Sequence, residues 1–389
     1  MSFLRTISTP RLAALCASAV AIAAGGTAIA LAGSDGPAPP AKPLAAAVHD
    51  GLTAPEVQGI TAHVTFTNHL IDSSGIHGAS PLLSGASGRL WLSPGRGLRL
   101  ELQSEGSTDS QVVANQQGFF VFDGSSNTVY RGTLPKDKGA KFGKRGKGAE
   151  KAHKVPSIAR IQRGLNQARG HQLDISGPVP GNIAGQPAYT VRVGQGRPGG
   201  LLGAVELAWD AARGLPLRVA VYARGSNTPV LELVATDVQY GAVPDSIFAI
   251  SPPADAHVVN VSSKGRKGGD SPRRVARKLP FQLSAPATLS GRSRSGIKRV
   301  MGGALITYGD GPDALAVFER AAKPQKPAAG GSGDQHGQLE LPTADINGAS
   351  AKVIDTPLGS IVSFDRAGVS YTVLGSVHAA EAEAAARGL

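Results

Sequence analysis

Residues 204–221, AVELAWDAARGLPLRVAV, decide the fold. Val205, Leu207 and Trp209 alternate with Glu206 and Ala208. Leu217, Val219 and Val221 alternate with Arg218 and Ala220. Successive side chains of a β-strand point to opposite faces, so each run describes a strand with one apolar face. Arg213-Gly214-Leu215-Pro216 lies between the runs and has the composition of a turn. The stretch is therefore an antiparallel hairpin that buries one side.

The same pattern recurs upstream. Leu98, Leu100 and Leu102 alternate with Arg99, Glu101 and Gln103. Further strands are expected at 61–68, 89–92, 111–114, 119–123, 128–134, 189–193 and 230–238, with a turn at Asp123-Gly124-Ser125-Ser126-Asn127. Two segments have helical character. Leu44–Asp50 is short. Ser157–Ala168 follows Pro156, offers Ser157 as N-cap and sets Ile158, Ile161 and Leu165 on one face. The expected fold is mainly β, with a meandering antiparallel sheet in the first domain.

Beyond residue 278 the pattern becomes α+β. Strands are expected at Val300–Tyr308, Ala351–Asp355, Ser360–Asp365 and Val369–Leu374, and helices at Pro312–Ala322 and Ala379–Ala386. The 389 residues divide into a signal or anchor segment (1–32), a Pro-rich spacer (33–43), a first domain (44–260), a basic linker (261–278) and a small second domain (279–389). Lys323–Gln338, KPQKPAAGGSGDQHGQ, interrupts that last domain as a low-complexity loop.

The N-terminus points to export. Arg5 and Arg11 precede an uncharged run from Leu12 to Ala32, and Ala30-Leu31-Ala32 suits signal peptidase. The run also has the length of a membrane anchor, so an extracytoplasmic protein is expected, either secreted or held to the plasma membrane. Cys16 is the only cysteine and lies in this run. A cleaved chain has no thiol for a disulfide, a zinc–thiolate site or a nucleophile.

The net charge is +12 and the pI about 9.9. Much of the excess sits in Lys136–Lys154 and Lys264–Lys278, both Gly-rich. Such a balance suits an anionic partner, and for an exported chain this is an anionic membrane surface. Aromatic residues are 5% of the chain, too sparse for a base-stacking platform, so no nucleic-acid partner is expected. The sequence lacks H-E-x-x-H, G-x-S-x-G and a P-loop, so no enzyme class and no cofactor is assigned. His63, His69 and His77 form the one histidine cluster, without the carboxylate or cysteine pattern of a metal centre.

The phrases SGRLWLSPGRGLRLEL, QVVANQQGFFVFDGSSNTVYRGTLP, AGQPAYTVRV, WDAARGLPLRVAVYARG and FAISPPADAHVV carry a resemblance across most of residues 44–260. In this order they resemble the outer-membrane-lipoprotein carrier and sigma-E regulatory protein superfamily, in its actinobacterial branch. The resemblance implies a curved antiparallel half-barrel with a helical lid over an apolar cavity for acyl chains. Candidate cavity residues are then Leu98, Leu100, Leu102, Val205, Leu207, Trp209, Leu217, Val219 and Val221, with Ile158, Ile161 and Leu165 in the lid. Plain packed core accounts for the same residues equally well. Two partner classes follow: lipid or lipoprotein acyl chains for a carrier or sensor, and a membrane regulatory protein such as an anti-sigma factor. The minimal carrier lacks the second domain, which raises the regulatory reading.

Overall fold

The computed structural model describes residues 36–71, 80–104, 109–132, 155–249, 251–261, 271–300, 302–322 and 341–389. The expected N-terminal export segment, His77, the Lys136–Lys154 stretch and the expected loop at 323–338 lie outside the described residues.

Thirteen strands build the first sheet. They are β1 (Ile60–Asn68), β2 (Ala86–Ser93), β3 (Gly97–Gln103), β4 (Ser110–Asn115), β5 (Phe119–Asp123), β6 (Thr128–Gly132), β7 (Leu173–Ile175), β8 (Val179–Ile183), β9 (Gln186–Gln195), β10 (Leu202–Asp210), β11 (Pro216–Ala223), β12 (Pro229–Tyr240) and β13 (His257–Val261). Their order is β13-β6-β5-β4-β3-β2-β1-β12-β11-β10-β9-β7, with β8 also paired to β9. All pairings are antiparallel except β13 with β6, which is parallel. Two meanders, β1 to β6 and β9 to β12, thus meet where β12 pairs with β1. The result is a curved antiparallel half-barrel with a helical lid.

The lid consists of α1 (Leu44–Thr53) and α3 (Ile158–Gly170), which pack on each other. A short α2 (Pro81–Ser84) lies against β1 and β3. The start of α3 follows its sequence signal: the Ser157 hydroxyl accepts the Arg160 amide at 3.4 Å. Ile161, Leu165 and Ala168 recur at helical spacing and are buried. The turn between β10 and β11 reaches α1. Gly214 has φ +66°, and a Cβ there would overlap the Gly51 carbonyl oxygen. Only glycine allows both that backbone and that approach.

The second sheet runs β14-β15-β16-β17-β21-β20-β19-β18. Its strands are β14 (Thr288–Leu289), β15 (Arg292–Val300), β16 (Gly303–Tyr308), β17 (Leu315–Ala321), β18 (Thr343–Ile346), β19 (Ala349–Thr356), β20 (Gly359–Arg366) and β21 (Val369–Gly375). Two helices, α4 (Pro272–Ala276) and α5 (Ala379–Arg387), make the domain α+β. Helix α5 crosses one face of the sheet and buries Ala382, Ala385 and Ala386.

Two expectations need correction here. The segment Pro312–Ala322 is strand β17, not a helix. Leu315, Val317 and Glu319 alternate into the core, and β16 and β21 pair with both edges. The expected strand Val300–Tyr308 spans the end of β15, a turn and β16. The end of the basic stretch is also folded: α4 plants Val275, 1% exposed, in the second core.

The two sheets touch through the β9–β10 turn. Ser376 Oγ accepts the amides of Leu201 at 2.9 Å and Leu202 at 3.1 Å. A Cβ on Gly200, at φ +75°, would lie 2.7 Å from the Pro312 carbonyl oxygen.

Candidate functional site

Strand register assembles one apolar face from residues far apart in sequence, because directly paired residues share a face. Val191, Leu207, Val219, Leu233, Phe66 and Ala86 stand opposite one another across six strands. A second row runs Val238, Ala62, Leu90, Leu100, Val112, Val121 and Tyr130. Ile60, Leu92 and Leu98 belong to a third. The alternating stripes of the sequence thus form a single surface.

Covering divides this surface. Over β7 and β9–β11, the helices close it. Leu44, Ala45, Ala47 and Val48 of α1 join Ile161, Leu165 and Ala168 of α3 against Ile175, Tyr189, Val191, Leu207 and Trp209. Tyr189 and Trp209 rings meet at 5.9 Å between centroids, and the Tyr189 hydroxyl donates to the Pro40 carbonyl at 2.6 Å. Beside this cluster a cavity of about 210 Å³ is lined by strand and loop residues alone, among them Leu173, Val191, Leu202, Val205 and Leu207. Pockets for drug-sized ligands typically measure about 300–1,000 Å³.

Over β1–β3 and β12 the surface is only partly covered. Ile60, Ala62, Val64, Leu102, Leu217, Ala235 and Val238 are buried, whereas Phe66, Leu90, Leu92, Leu100, Leu233 and Tyr240 are half-buried around them. Further out, Leu98, Val112, Phe119 and Val121 are half-buried and Tyr130 is 43% exposed. Among the described residues, only Leu82 of α2 packs on this part from a helix.

The twelve sequence-derived residues therefore separate. Ile161, Leu165, Leu207 and Trp209, with Val219 against them, belong to the filled core under the lid. Leu102 and Leu217 are buried in the second cluster, with Leu100 beside them. Leu98 and Val221 are outside both clusters, Leu98 half-buried and Val221 on a half-buried stretch of β11. Ile158 at 47% and Val205 at 36% are exposed. Sequence reading missed Phe66, Leu90, Leu92, Leu233 and Tyr240, although Ile60, Ala62, Val64 and Phe66 alternate as plainly as the chosen stripes.

Polar anchors hold the face in shape. Asp210 is fully buried and accepts the amides of Ala212 at 2.7 Å and Arg213 at 2.8 Å. It also accepts the Tyr240 hydroxyl at 2.5 Å, and Arg213 stacks on the Tyr240 ring at 3.9 Å. Burial and this acceptor push the Tyr240 hydroxyl pKa well up, so it stays a donor. On the opposite side of the sheet Arg218 binds Glu206, Glu232 and Tyr222, and Arg192 covers the Tyr222 ring at 4.0 Å. Both carboxylates there are paired with Arg218, which reads as structural.

A larger cavity of about 1430 Å³ adjoins the apolar face at the Asn68 and Gln103 ends of β1–β3. Its walls are mixed: His63, Thr65, Arg89, Glu101 and Gln103 on one side, and Val64, Phe66 and Ala86 of the apolar face on the other. His63 approaches Asp237 at 3.6 Å, and His69 Nδ1 faces the Pro229 carbonyl at 3.2 Å. Among the described residues, no three metal-ligating side chains cluster. No helix among them is long and apolar enough to cross a membrane.

No known family model matches the chain, and no curated protein matches its sequence. Solved structures do. MucB in complex with MucA(peri) is 17% identical, covers 88% of this chain and 94% of its own, and has a TM-score of 0.39. MucB alone is 18% identical, covers 88% and 95%, and has a TM-score of 0.37. An uncharacterized conserved protein from Thermus thermophilus is 15% identical, covers 55% and 95%, and has a TM-score of 0.32.

Proposed function

We propose that this chain is an extracytoplasmic lipid or lipoprotein binding protein, a carrier or sensor whose acyl-chain site is the part of the apolar face left open by the lid. The observation that carries this reading is the continuity of the rows: the face that α1 and α3 bury over β9–β11 runs on, still apolar, to Leu90, Leu98, Leu100 and Val121. Contiguous apolar surface on a folded protein marks a place where something binds. An acyl chain suits it, because the described wall offers aliphatic side chains and few polar groups. The filled core under the lid does not suit it.

The protein purified from its native host is extracted with organic solvent, and the extract is examined by mass spectrometry. Bound acyl lipid is expected. A fluorescent fatty acid is expected to bind, and Leu100→Trp to weaken that binding with an unchanged thermal midpoint. Neither native lipid nor fatty-acid binding would overturn the proposal. The docking of Leu201 and Leu202 on Ser376 favours a second reading: a two-body regulator that engages a membrane regulatory protein across both domains. Retention of a membrane protein by the intact chain, lost when Ser376 is replaced by Pro, is the corresponding expectation.

A further inference from the structure

The excess of positive charge has a structured home in the second domain. Ser271 caps α4, its hydroxyl accepting the Arg274 amide at 3.4 Å, and Pro272 opens it. Val275 sinks into the core at 1% exposure. The side chains around it remain outside: Arg273, Arg274, Arg277 and Lys278 are all exposed. Helix α4 packs against β15, which contributes Arg299, exposed, and Lys298, half-buried, near its end.

None of these six cations forms an ion pair with a carboxylate among the described residues. The contrast lies on the same strand. Arg292 of β15 binds Asp313 at 2.7 Å and Glu381 at 2.5 Å. On α5, Arg387 binds Glu383 at 2.9 Å. Arg294, Arg320, Lys352 and Arg366 of this domain likewise form no ion pair among the described residues, whereas around α4 four exposed cations fall within six residues of chain. A set of like charges held close by a buried valine repels itself unless an anion is present. Because α4 is anchored, its charges are presented together, not spread along a free chain.

We infer that α4 and the end of β15 form a docking surface for an anionic phospholipid bilayer. The cations spread around a short helix and a strand end, so an extended surface of negative charge matches them better than one small phosphate. Helix α4 carries no aromatic side chain for base stacking, which disfavours single-stranded nucleic acid. The charge pattern suits the exported location expected for this chain. It does not rest on the acyl-binding reading, since it uses no residue of the first sheet.

The full chain tests this by co-sedimentation with vesicles of phosphatidylcholine alone and of phosphatidylcholine mixed with phosphatidylglycerol. Each basic residue near an anionic surface contributes roughly a fivefold factor in partitioning, reduced by screening. The quadruple change Arg273→Gln, Arg274→Gln, Arg277→Gln and Lys278→Gln is therefore expected to lower partitioning onto the anionic vesicles by about a hundredfold. Binding to neutral vesicles, which reports any contribution of the apolar N-terminus, is expected to stay the same, as is the circular dichroism. Replacing the three arginines by lysine is expected to retain most of the binding, because the surface reads charge. A parallel variant, Lys141→Gln, Lys144→Gln, Arg145→Gln and Lys147→Gln, removes equal charge elsewhere. Loss in that variant with no loss in the α4 variant would overturn the proposal. So would tighter binding of a DNA duplex than of anionic vesicles at equal salt, if the α4 substitutions abolish it.

Discussion

The two sheets of this protein treat an apolar face in opposite ways. In the second sheet, Ala304, Ile306, Tyr308, Val317, Val362 and Val373 are each wholly buried, and α5 with the 279–285 segment closes the face. Closure is complete enough to enclose a carboxylate: Glu319 is fully buried, with one oxygen accepting the Ser284 amide at 2.9 Å and the other unpaired. In the first sheet the lid reaches only part of the face. A closed face is a core and fixes shape, whereas a partly open one leaves room for an occupant. The difference lies in what rests on the strands, not in the strands themselves.

The largest expected effect tests the closed part of the first sheet. Leu165 of α3 is fully buried among α1, β9 and β10. Leu165→Ala is expected to cost about 2–5 kcal/mol in denaturant unfolding, the transfer of the lost atoms plus the cavity left behind. A loss below about 1 kcal/mol would mean that the lid is not packed as a core, and the contrast between its two halves would fail.

The second test concerns the closed sheet. Burial pushes the Glu319 carboxyl from 4.5 up to about 7. The folded state then holds this proton more tightly than the unfolded chain. Stability from this group is greatest below about pH 4.5, falls as pH rises towards 7, and is level above. Glu319→Gln is expected to flatten that slope and to stabilise the protein at alkaline pH by on the order of 2–3 kcal/mol. An unchanged pH profile of the thermal midpoint between 4.5 and 7 would show that the carboxylate finds solvent.

Much of this was legible in the sequence, and the gaps have physical causes. The hairpin at 204–221, the stripes at Leu98–Leu102 and the capped helix after Ser157 were all local signals, because alternation, turn chemistry and capping are local. Strand β17 was not. Leu315, Phe318 and Ala322 also fit helical spacing, and Glu319 places a charge where the alternation needs an apolar residue. The short β7 and the parallel pairing of β13 with β6 depend on distant partners. Nor does any stripe announce its cover. Leu207 and Leu100 look alike in sequence, yet one lies under a helix and the other is half-buried. Charge told part of the story too: a stretch read as linker hides Val275, one apolar residue among cations, which suffices to fold it onto β15.

The pair Leu207 and Leu100 sets up the third prediction. Leu207→Trp inserts bulk into the buried cluster that Leu207 shares with Leu165, Val191 and Trp209. Overpacking is expected to cost about 1–3 kcal/mol. Leu100→Trp meets half-open surface and is expected to leave the midpoint within error while it lowers fatty-acid binding. Equal destabilisation by both changes would erase the distinction between filled and open regions.

The smallest expected effect is the most informative about the open face. Full burial of a leucine contributes about 1.5–3 kcal/mol, and half of that area is at stake at Leu100. Leu100→Ala is therefore expected to cost about 1 kcal/mol or less when the protein is stripped of lipid. With acyl ligand bound the same substitution removes contacts on both sides of the side chain, so its cost should rise. The comparison is between two unfolding curves of the variant and two of the parent, delipidated and loaded, all at one protein concentration. Ligand that binds the folded state alone raises stability by mass action, and a variant that binds more weakly gains less. A larger penalty in the loaded protein places the acyl chain against Leu100. An equal penalty in both states would put the chain elsewhere, and a penalty of about 3 kcal/mol without ligand would reveal a closed core at Leu100 like that beneath the lid.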